Sequence, residues 1–534
     1  MTMLLSPIVN IPDTFNAASY FVDANLTRGN GDRTAILYEG QEFSYAQMGE
    51  MVNRTGNAFR SLGLDWEQRV LLVLMDCPEF VASFFGAMKI GAVSVPLNTL
   101  WKSQDYAYTL KDSRAHLIVI SEPLLTTVEP ALAQAAHLKH VIIVCDQPDA
   151  DHSALKAKGY LLFHELIAVA SPTLEAVPTS KDDVAFWLYS SGTTGAAKGT
   201  VHLHHDMVYC TELYAKQILN ITAQDRCFSV AKLFFAYGLG NGLYFPFAVG
   251  ASTVLLPHQP SPAKIFEICN ATQPSLYFGV PTSYAAVLAY AQGKEVRLDS
   301  VRQGISAGEA LPKAIWQDFK QRFGVEILDG IGSTEILHIF LSNRAGAVKP
   351  GSSGQVVPGY EAKIVDEEGQ VVAPDVEGHL LIKGDSTTPY YWNKHDKTKQ
   401  TVVGDWTRTG DKYHQDADGY YWYHGRADDM IKAGGIWVSP VEVEGVLNEH
   451  PAVLECGVVG HSEADGLEKP LAYVVLKQDY LASPALEAEL KQFVKHKLAP
   501  YKYPRWIMFV ETMPRTATGK LQRFKLRQLA NLNA

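Results

Sequence analysis

Short apolar runs alternate with helical patterns through the first four hundred or so residues, and this alternation constrains the fold most strongly. The runs that predict buried strands are Val70–Met75, Ala92–Pro96, Leu117–Ile120, Val141–Val144, Phe186–Tyr189, Thr253–Leu256 and Ser275–Phe278. Helical periodicity fills intervals between them, as in Pro78–Ile90 and Leu124–Ala136. Strands that are apolar throughout and separated by helices are typical of parallel sheets covered on both faces. We therefore predict an α/β protein with stacked mixed or parallel sheets and flanking helices.

Beyond about residue 350 the pattern changes to hairpins. Glu361–Val365, Gly369–Val372 and His379–Lys383 alternate apolar and polar residues, with turn residues Asp366–Gly369 between the first two. Tyr420–His424 adds an aromatic strand. Alternation of this kind indicates antiparallel strands with one buried face. We expect a small barrel-like portion here.

The tail from about residue 427 predicts a small α+β unit. Its predicted elements are helix Pro440–Asn448 with Ser439 as the N-cap, strands Val453–Val459 and Leu471–Leu476, helix Leu486–Lys497 and strand Arg505–Phe509. A chain of 534 residues is too long for one compact core. We predict a large domain over residues 1–427 and a small mobile domain over residues 428–534.

Composition excludes some classes of protein. A net charge of −10 argues against a chain whose main task is to bind nucleic acid. The six cysteines show no C-x-x-C pair and no histidine-spaced metal pattern, so buried thiols in a reducing compartment are expected. No apolar run reaches ~18 residues and no secretory signal is evident, so we expect no membrane span and a cytoplasmic location.

The segment Tyr189–Gly199 carries the densest chemical signal and follows an apolar strand. Glycines let backbone amides approach an anion closely, hydroxyls donate hydrogen bonds to it, and the lysine supplies a positive charge. Together these groups suit the binding of a triphosphate. The candidate phosphate contacts are Ser190, Ser191, Gly192, Thr193, Thr194, Gly195 and Lys198. The segment is not a Walker A loop, because Ala197 and Gly199 stand where that motif has Gly and Ser/Thr. A flexible surface linker is the alternative interpretation.

This segment resembles the phosphate loop of the adenylate-forming superfamily, which includes acyl- and aryl-CoA synthetases, peptide-synthetase adenylation domains and luciferases. Further segments resemble the motifs of that family in order: Ser306–Leu311, Asp329–Glu335, Thr407–Asp411, Gly425–Asp429 and Pro514–Lys520. The resemblance implies an enzyme that uses ATP to adenylate a carboxylic acid.

The resemblance also implies roles in nucleotide binding. Ala307, Gly308 and Glu309 would contact adenosine. Asp329 would accept a hydrogen bond from the amino group of adenine. The residues that follow it in the same nucleotide-binding segment are Gly330, Ile331, Gly332 and Ser333. Asp411 would bind the ribose hydroxyls, supported by Arg426. Ile331 departs from the family, because an aromatic residue usually stacks on adenine there. The adenine ring must then be held by apolar packing against Ile331 and its neighbours.

Three residues match the catalytic positions of the family. Thr334 would contact the α-phosphate, and Glu335 would bind Mg²⁺, since a hard cation prefers oxygen ligands. Lys520 matches the catalytic lysine, whose ammonium would neutralise charge gathering between the carboxylate and the α-phosphate. A lone lysine near a C-terminus is otherwise usually a solvated charge.

The resemblance implies two features for the step after adenylation, in which the acyl group passes to the thiol of coenzyme A. Asp428 matches the hinge about which the small domain turns after adenylation. Gly434 and Gly435 resemble the loop along which the pantetheine of coenzyme A passes, because a missing Cβ leaves room. An ordinary turn with strand-edge glycines is the alternative.

The acyl pocket of the family falls on Phe234, Phe235, Ala236, Tyr237 and Gly238, with Ile336 and His338 following the Thr-Glu pair. Aromatic walls with one small residue suit a flat ring, although an aromatic cluster is commonly plain core. The chain looks most like the benzoate–CoA ligases, which implies benzoate, ATP and CoA as substrates.

Three alternatives remain open at this stage. The enzyme could adenylate another carboxylate, or load a carrier protein instead of CoA. A nucleotide sensor without catalysis is a different class, disfavoured by Lys520, Glu335 and Asp411. The sequence carries no sign of the oligomeric state, and a homodimer stays open.

Overall fold

The computed structural model describes residues 9–192, 195–258, 260–433, 436–462, 468–499, 501–515 and 520–532. The apolar runs of the N-terminal part form a seven-stranded sheet in these ranges. Its strands, in spatial order, are Leu161–Leu162, His140–Val144, Leu117–Ser121, Arg69–Val73, Val93–Pro96, Val184–Gly192 and Gly195–Leu203. All neighbouring pairs are parallel except the last, which is an antiparallel hairpin.

The second large sheet has nine strands in the described ranges. In spatial order they are Gln355–Val356, Ile339–Ser342, Ile327–Gly332, Gln303–Ser306, Leu276–Gly279, Arg226–Ser229, Ser252–Leu255, Thr34–Tyr38 and Gln41–Ser44. The pairs from Ile327–Gly332 to Thr34–Tyr38 are parallel, and the pairs at both edges are antiparallel. The predicted α/β class with stacked mixed sheets is confirmed.

Helices cover both sheets and fill the space between them. The α-helices before residue 402 are Ala24–Thr27, Tyr45–Ser61, Pro78–Lys89, Ser103–Ser113, Leu125–Leu132, Ser153–Ala157, Phe163–Val169, Asp206–Cys210, Ala236–Leu239, Phe245–Val249, Pro262–Thr272, Pro281–Ala291, Lys313–Phe323 and His395–Thr401. Short π-helical segments are Ser19–Asp23, Thr211–Ala215 and Gly240–Tyr244, and single 3₁₀ turns are Glu122–Leu124 and Thr334–Ile336. Tyr45–Ser61 and Pro78–Lys89 cross at Gly56, where a Cβ would lie 2.9 Å from the Gly86 carbonyl oxygen. This close crossing lets both helices pack into one core with the sheets.

The barrel-like portion is built from Glu361–Val365, Gly378–Lys383, Trp406–Gln415, Val402–Val403 and Tyr421–Arg426, all paired antiparallel. The predicted strand Gly369–Val372 is wrong, because this segment forms a single bridge between Val365 and Val371. The turn itself is present, with the Gly369 amide donating to the Asp366 carbonyl at 3.2 Å. Val371 is 69% exposed, while the half-buried Val372 packs against the core and its amide donates to the Ile364 carbonyl at 3.1 Å.

The C-terminal segment forms the predicted α+β unit. Its elements are the turn Ala427–Asp429, hairpin strands Ile431–Ala433 and Ile436–Val438, sheet strands Val453–Ser462, Glu468–Leu476 and Trp506–Phe509, and helices Pro440–Asn448, Pro484–Lys497 and Arg523–Leu532. Ser439 is the predicted N-cap, and its hydroxyl accepts from the Glu442 amide at 3.2 Å. Two apolar clusters made only of residues from this segment form its interior. None of the helices in the described ranges combines the length and the apolar character needed to cross a bilayer.

Candidate active site

A cavity of about 430 Å³ lies where strands of the nine-stranded sheet end. Its lining includes many of the residues predicted from the sequence: Phe234, Phe235, Ala236, Tyr237, Ala307, Gly308, Glu309, Gly332, Ser333, Thr334, His338 and Lys520. These residues come from segments up to about three hundred positions apart in the chain. The fold therefore brings the predicted acyl wall, the Thr-Glu segment and the catalytic lysine to one space.

Lys520 extends from the small C-terminal unit into this cavity. The residue as a whole is exposed, but its ammonium end is surrounded by protein, and a Cβ on Gly308 would lie 3.8 Å from its Cε. Burial lowers the pKa of the Lys520 ammonium, against the opposing charges of Glu309 and Asp411. The cation is thus held close to the residues expected to bind ATP. Residues 516–519 of the same motif lie outside the described residues.

Glu335 lies beside two groups that keep it ionised. Burial disfavours the carboxylate, but the charge of Lys198 and a hydrogen bond from Tyr391 outweigh burial and hold its pKa below the ordinary value. The Tyr391 hydroxyl donates to Oε1 of Glu335 at 2.7 Å, and Nζ of Lys198 lies 4.0 Å from the same oxygen. Lys198 also stacks on the Tyr391 ring at 4.4 Å. An ionised carboxylate of this kind fits a hard divalent cation.

The predicted phosphate loop is mostly strand. Ser190 pairs with Lys198, and Gly192 pairs with Gly195, at the end of the hairpin. Tyr189–Gly199 is therefore a hairpin tip and not an open loop, because ladder hydrogen bonds continue almost to its end. The Ser190 hydroxyl is buried and has no hydrogen-bond partner among the described residues, as expected of a donor awaiting an anion. Thr193 and Thr194 lie outside the described residues, as does the side chain of Ser191.

Asp329 occupies a buried position in the middle of strand Ile327–Gly332. Its Oδ2 accepts from the Leu311 amide at 3.2 Å, while its Oδ1 has no partner among the described residues. Burial raises the pKa of Asp329 to about 8. Neither Gly330 nor Gly332 has room for a side chain. A Cβ on Gly330 would lie 2.7 Å from the Leu341 carbonyl oxygen, and a Cβ on Gly332 would lie 2.6 Å from the His338 carbonyl oxygen. Ile331 packs against the core, as apolar support for a ring requires.

Asp411 and Arg426 form an ion pair across neighbouring strands. Nη1 of Arg426 donates to Oδ1 of Asp411 at 3.1 Å and to the Thr409 carbonyl at 2.9 Å. Burial raises the pKa of Asp411, and the charge of Arg426 opposes this rise. Gly410 has φ of +79°, and a Cβ there would lie 2.7 Å from a guanidinium nitrogen of Arg426. Glycine is therefore needed for this pair to form.

The aromatic wall of the cavity begins with Phe234 and Phe235, whose ring centroids lie 4.3 Å apart. The Tyr237 hydroxyl lies 3.1 Å from both the Gly279 and the Ile305 carbonyl oxygens, which fixes the wall to two strand ends. His338 closes the space, with Nε2–H donating to the Tyr237 carbonyl at 3.3 Å. Burial lowers the pKa of His338 to about 3, so this residue is neutral.

Two of the predicted acyl contacts lie behind the wall. Ile336 is fully buried in the core, and Gly238 packs where a Cβ would lie 2.1 Å from the Lys232 carbonyl oxygen. Leu337, between Ile336 and His338, lines the cavity. Leu337 has φ of +70° and ψ of −46°, and the amide of His338 donates across it to the Ile336 carbonyl at 2.9 Å. Such a tight turn is strained for a branched residue, and such strain often accompanies function.

Several residues of the site were not recognised from the sequence. Tyr391 lies in no motif, and only the approach of strand Gly195–Leu203 brings it to Glu335. His202 donates from Nε2 to the Thr334 carbonyl at 2.8 Å. Asp76 accepts from the Leu233 amide at 3.0 Å and supports the start of the aromatic wall. Its pKa is raised to about 6 by burial.

The predicted hinge lies at the junction of the two parts of the chain. Asp428 occupies the single turn Ala427–Asp429, directly after strand Tyr421–Arg426. Its side chain lies outside the described residues, as do Gly434 and Gly435. The hinge and the passage for CoA therefore stay predictions.

Comparison with known proteins agrees with this geometry. The AMP-binding enzyme family matches residues 23–392, and the AMP-binding enzyme C-terminal domain matches residues 442–520. The chain is 49% identical to a benzoate–CoA ligase of Thauera aromatica over 523 residues, covering 98% of this chain and 97% of that protein.

Two solved structures are also similar. The anthranilate CoA ligase AuaEII with anthranoyl-AMP has a TM-score of 0.92 and 42% identity, with 98% of each chain covered. A benzoate CoA ligase from Burkholderia xenovorans LB400 has a TM-score of 0.88 and 46% identity, covering 96% of this chain and 100% of that chain. The resemblance predicted from the motifs is confirmed, and the chain belongs to the AMP-binding enzyme family.

Proposed function

We propose that this chain is an aryl-CoA ligase that converts benzoate, ATP and CoA into benzoyl-CoA, AMP and diphosphate. One observation carries the proposal: Lys520, Thr334 and the aromatic wall at Phe235 line the same cavity. A flat apolar wall next to a phosphate-binding segment suits an aromatic acid whose carboxylate must meet the α-phosphate. The similarity to benzoate–CoA ligases over nearly the whole chain supports this substrate.

In the first step a carboxylate oxygen of benzoate attacks the α-phosphorus of ATP, and diphosphate leaves with the bonding electron pair. The two reacting groups are both negative and repel each other. The ammonium of Lys520 lowers this repulsion and the charge of the transition state, with Thr334 beside the α-phosphate. The hairpin from Ser190 to Lys198 binds the other phosphates, while Asp411 and Asp329 orient the nucleoside.

Mg²⁺ fits the donor set at Glu335. The carboxylate is held ionised by Lys198 and Tyr391, and one of its oxygens carries both of these contacts. When bound, the cation would neutralise phosphate charge. Glu335 would hold it, and Tyr391 would fix the orientation of the carboxylate.

In the second step the small domain turns about Asp428 and withdraws Lys520. The CoA sulfur attacks the carbonyl carbon of benzoyl-AMP, AMP leaves, and the thiol proton passes to solvent. We assign residues 1–427 to the large domain and residues 428–534 to the small one. The separate apolar clusters of the C-terminal segment support this division.

We further propose that the enzyme acts in the cytoplasm, and a homodimer stays open as its working form. All six cysteines are free and buried, as expected in a reducing compartment. Light scattering on the purified chain tests the oligomeric state, and a monomer at assay concentrations would contradict the dimer.

The experiment that tests the activity is a pyrophosphate-release screen with benzoate, substituted benzoates, cyclohexane carboxylate and medium-chain fatty acids. We expect benzoate to give the highest kcat/KM, followed by CoA-dependent formation of benzoyl-CoA. A preference for fatty acids would refute the aryl assignment. Thioester formation on a holo carrier protein but not on CoA would support carrier loading instead.

A further inference from the structure

Glu122, Cys145 and His152 meet at the edge of the seven-stranded sheet. Glu122 and Cys145 directly follow the parallel strands Leu117–Ser121 and His140–Val144, whose last residues are paired. One carboxylate oxygen, the Cys145 sulfur and one ring nitrogen of His152 all lie within 4.8 Å of one another. We refer to these three residues as the Glu–Cys–His cluster. None of the three lines the cavity described above.

The side chains of the cluster have lone pairs that no protein group uses. Cys145 is 7% exposed and His152 is 8% exposed, and the Cys145 thiol has no hydrogen-bond partner among the described residues. Nε2–H of His152 donates to the Gln147 carbonyl at 2.9 Å, which leaves the lone pair on Nδ1. Histidines that bind metals commonly donate their other N–H to a backbone carbonyl in this way.

The electrostatic surroundings of the cluster favour a cation. Burial raises the pKa of the Cys145 thiol to about 11, and the carboxylates of Glu122, Asp146 and Glu165 add to this rise. Asp146 also has a raised pKa, caused first by burial and then by Glu122. The Asp146 amide donates to Oε2 of Glu122 at 3.1 Å, which orients that carboxylate. A divalent cation would compensate this concentration of negative groups.

We propose that the Glu–Cys–His cluster binds one Zn²⁺ ion and thereby fastens the segment 145–152 to the end of strand Leu117–Ser121. Zinc accepts thiolate sulfur, imidazole nitrogen and carboxylate oxygen together, with a water as the fourth ligand. On binding, the Sγ–H bond of Cys145 breaks, its proton passes to solvent and a Zn–S bond forms. Residues 146–151 are exposed, so the segment can adjust when the ligands contract around the ion. The sequence spacing showed no metal pattern because Glu122 follows a different strand and lies far from Cys145 and His152 in the chain.

The test uses full-length protein freed of metal by a chelator and titrated with Co²⁺, which reports its ligands by absorption. We expect one equivalent of Co²⁺ to produce a thiolate-to-cobalt charge-transfer band, which Zn²⁺ then removes. Cys145→Ser should abolish the band. Cys269→Ser, which alters a buried thiol in the helix Pro262–Thr272, far from the cluster in the chain, should leave it unchanged. Cobalt bound at Glu335 would have only oxygen ligands and would give no such band.

Absence of the band in the unmodified protein would overturn the proposal, as would its persistence in Cys145→Ser. Glu122→Gln provides a second variant if Cys145→Ser does not fold, because it preserves shape and removes one ligand charge. We expect Glu122→Gln to raise the Kd for Co²⁺ at least about tenfold. An unchanged Kd in that variant would also overturn the proposal.

Discussion

The backbone amide of Leu521 donates to the carboxylate of Glu309 at 3.1 Å, directly after Lys520. Nη1 of Arg515 lies 3.8 Å from the same carboxylate. Arg515 and Leu521 also pair with each other in an antiparallel bridge. The carboxylate of Glu309 therefore contacts both residues of this bridge. The arrangement suits adenylation, since it keeps the ammonium of Lys520 in the cavity.

Lys520→Ala should slow benzoate-dependent pyrophosphate release by about 10²–10³-fold, the effect of losing one group that stabilises a charged transition state. Formation of benzoyl-CoA from added benzoyl-AMP should stay close to normal, because the proposed rotation of the small domain would withdraw the lysine in that step. Lys525→Ala, at an exposed position of the same unit, serves as the control. An equal loss in both half-reactions would contradict a role confined to adenylation.

Glu309→Ala should weaken the adenylation step by about 1 kcal/mol, or roughly fivefold, because a part-exposed charged hydrogen bond contributes this much. The effect should appear in kcat for pyrophosphate release and not in the thioester step. Glu455→Ala is the matched control, since it removes the ion pair between Glu455 and Arg515 and keeps the Leu521 contact. If kcat for pyrophosphate release falls equally in both variants, the contact between Glu309 and Leu521 does not contribute to adenylation.

Gly240→Ala should raise KM for benzoate, because a Cβ at this position would lie 2.5 Å from the His338 ring. Overpacking of this kind costs about 1–3 kcal/mol, and the histidine would move towards the cavity. KM for ATP should stay unchanged. Gly445→Ala adds the same methyl group to helix Pro440–Asn448, where nothing lies within 4 Å. Steady-state kinetics measures KM for benzoate and for ATP in both variants. An unchanged benzoate KM in Gly240→Ala would contradict the placement of His338.

Asp329→Asn should flatten the dependence of stability on pH in the ligand-free enzyme. Burial raises the pKa of Asp329 from 3.8 to about 8, so between these values the folded chain keeps a proton that the unfolded chain has lost. The unfolding free energy therefore falls as pH rises through this window, by up to about 1.4 kcal/mol per unit, and levels off above it. Urea unfolding between pH 5 and 8 measures the difference between the two proteins. The exposed Asp149→Asn controls for loss of a charge, and parallel curves for all three proteins would refute the prediction.

Local patterns predicted much of the fold because burial and helix capping depend on nearby residues. The run Val70–Met75 contains most of the buried strand Arg69–Val73, and Ser439 caps the helix Pro440–Asn448. The strand predicted at Gly369–Val372 is wrong, because this segment meets the strand Glu361–Val365 only at the bridge between Val365 and Val371. The choice of Gly378–Lys383 as the partner of Glu361–Val365 depends on non-local pairing that periodicity does not contain.

The sequence by itself determined the family and the motifs, because the chemistry of ATP requires hydroxyls, glycines, carboxylates and one lysine in recognisable order. Tertiary structure alone decided which of these residues meet. Tyr391 donates to Glu335, Leu337 lines the cavity while Ile336 is buried in the core, and Glu309 accepts from the amide that follows Lys520. These contacts join residues far apart in the chain or depend on one positive φ. Their geometry comes from packing of the sheets and not from any local preference.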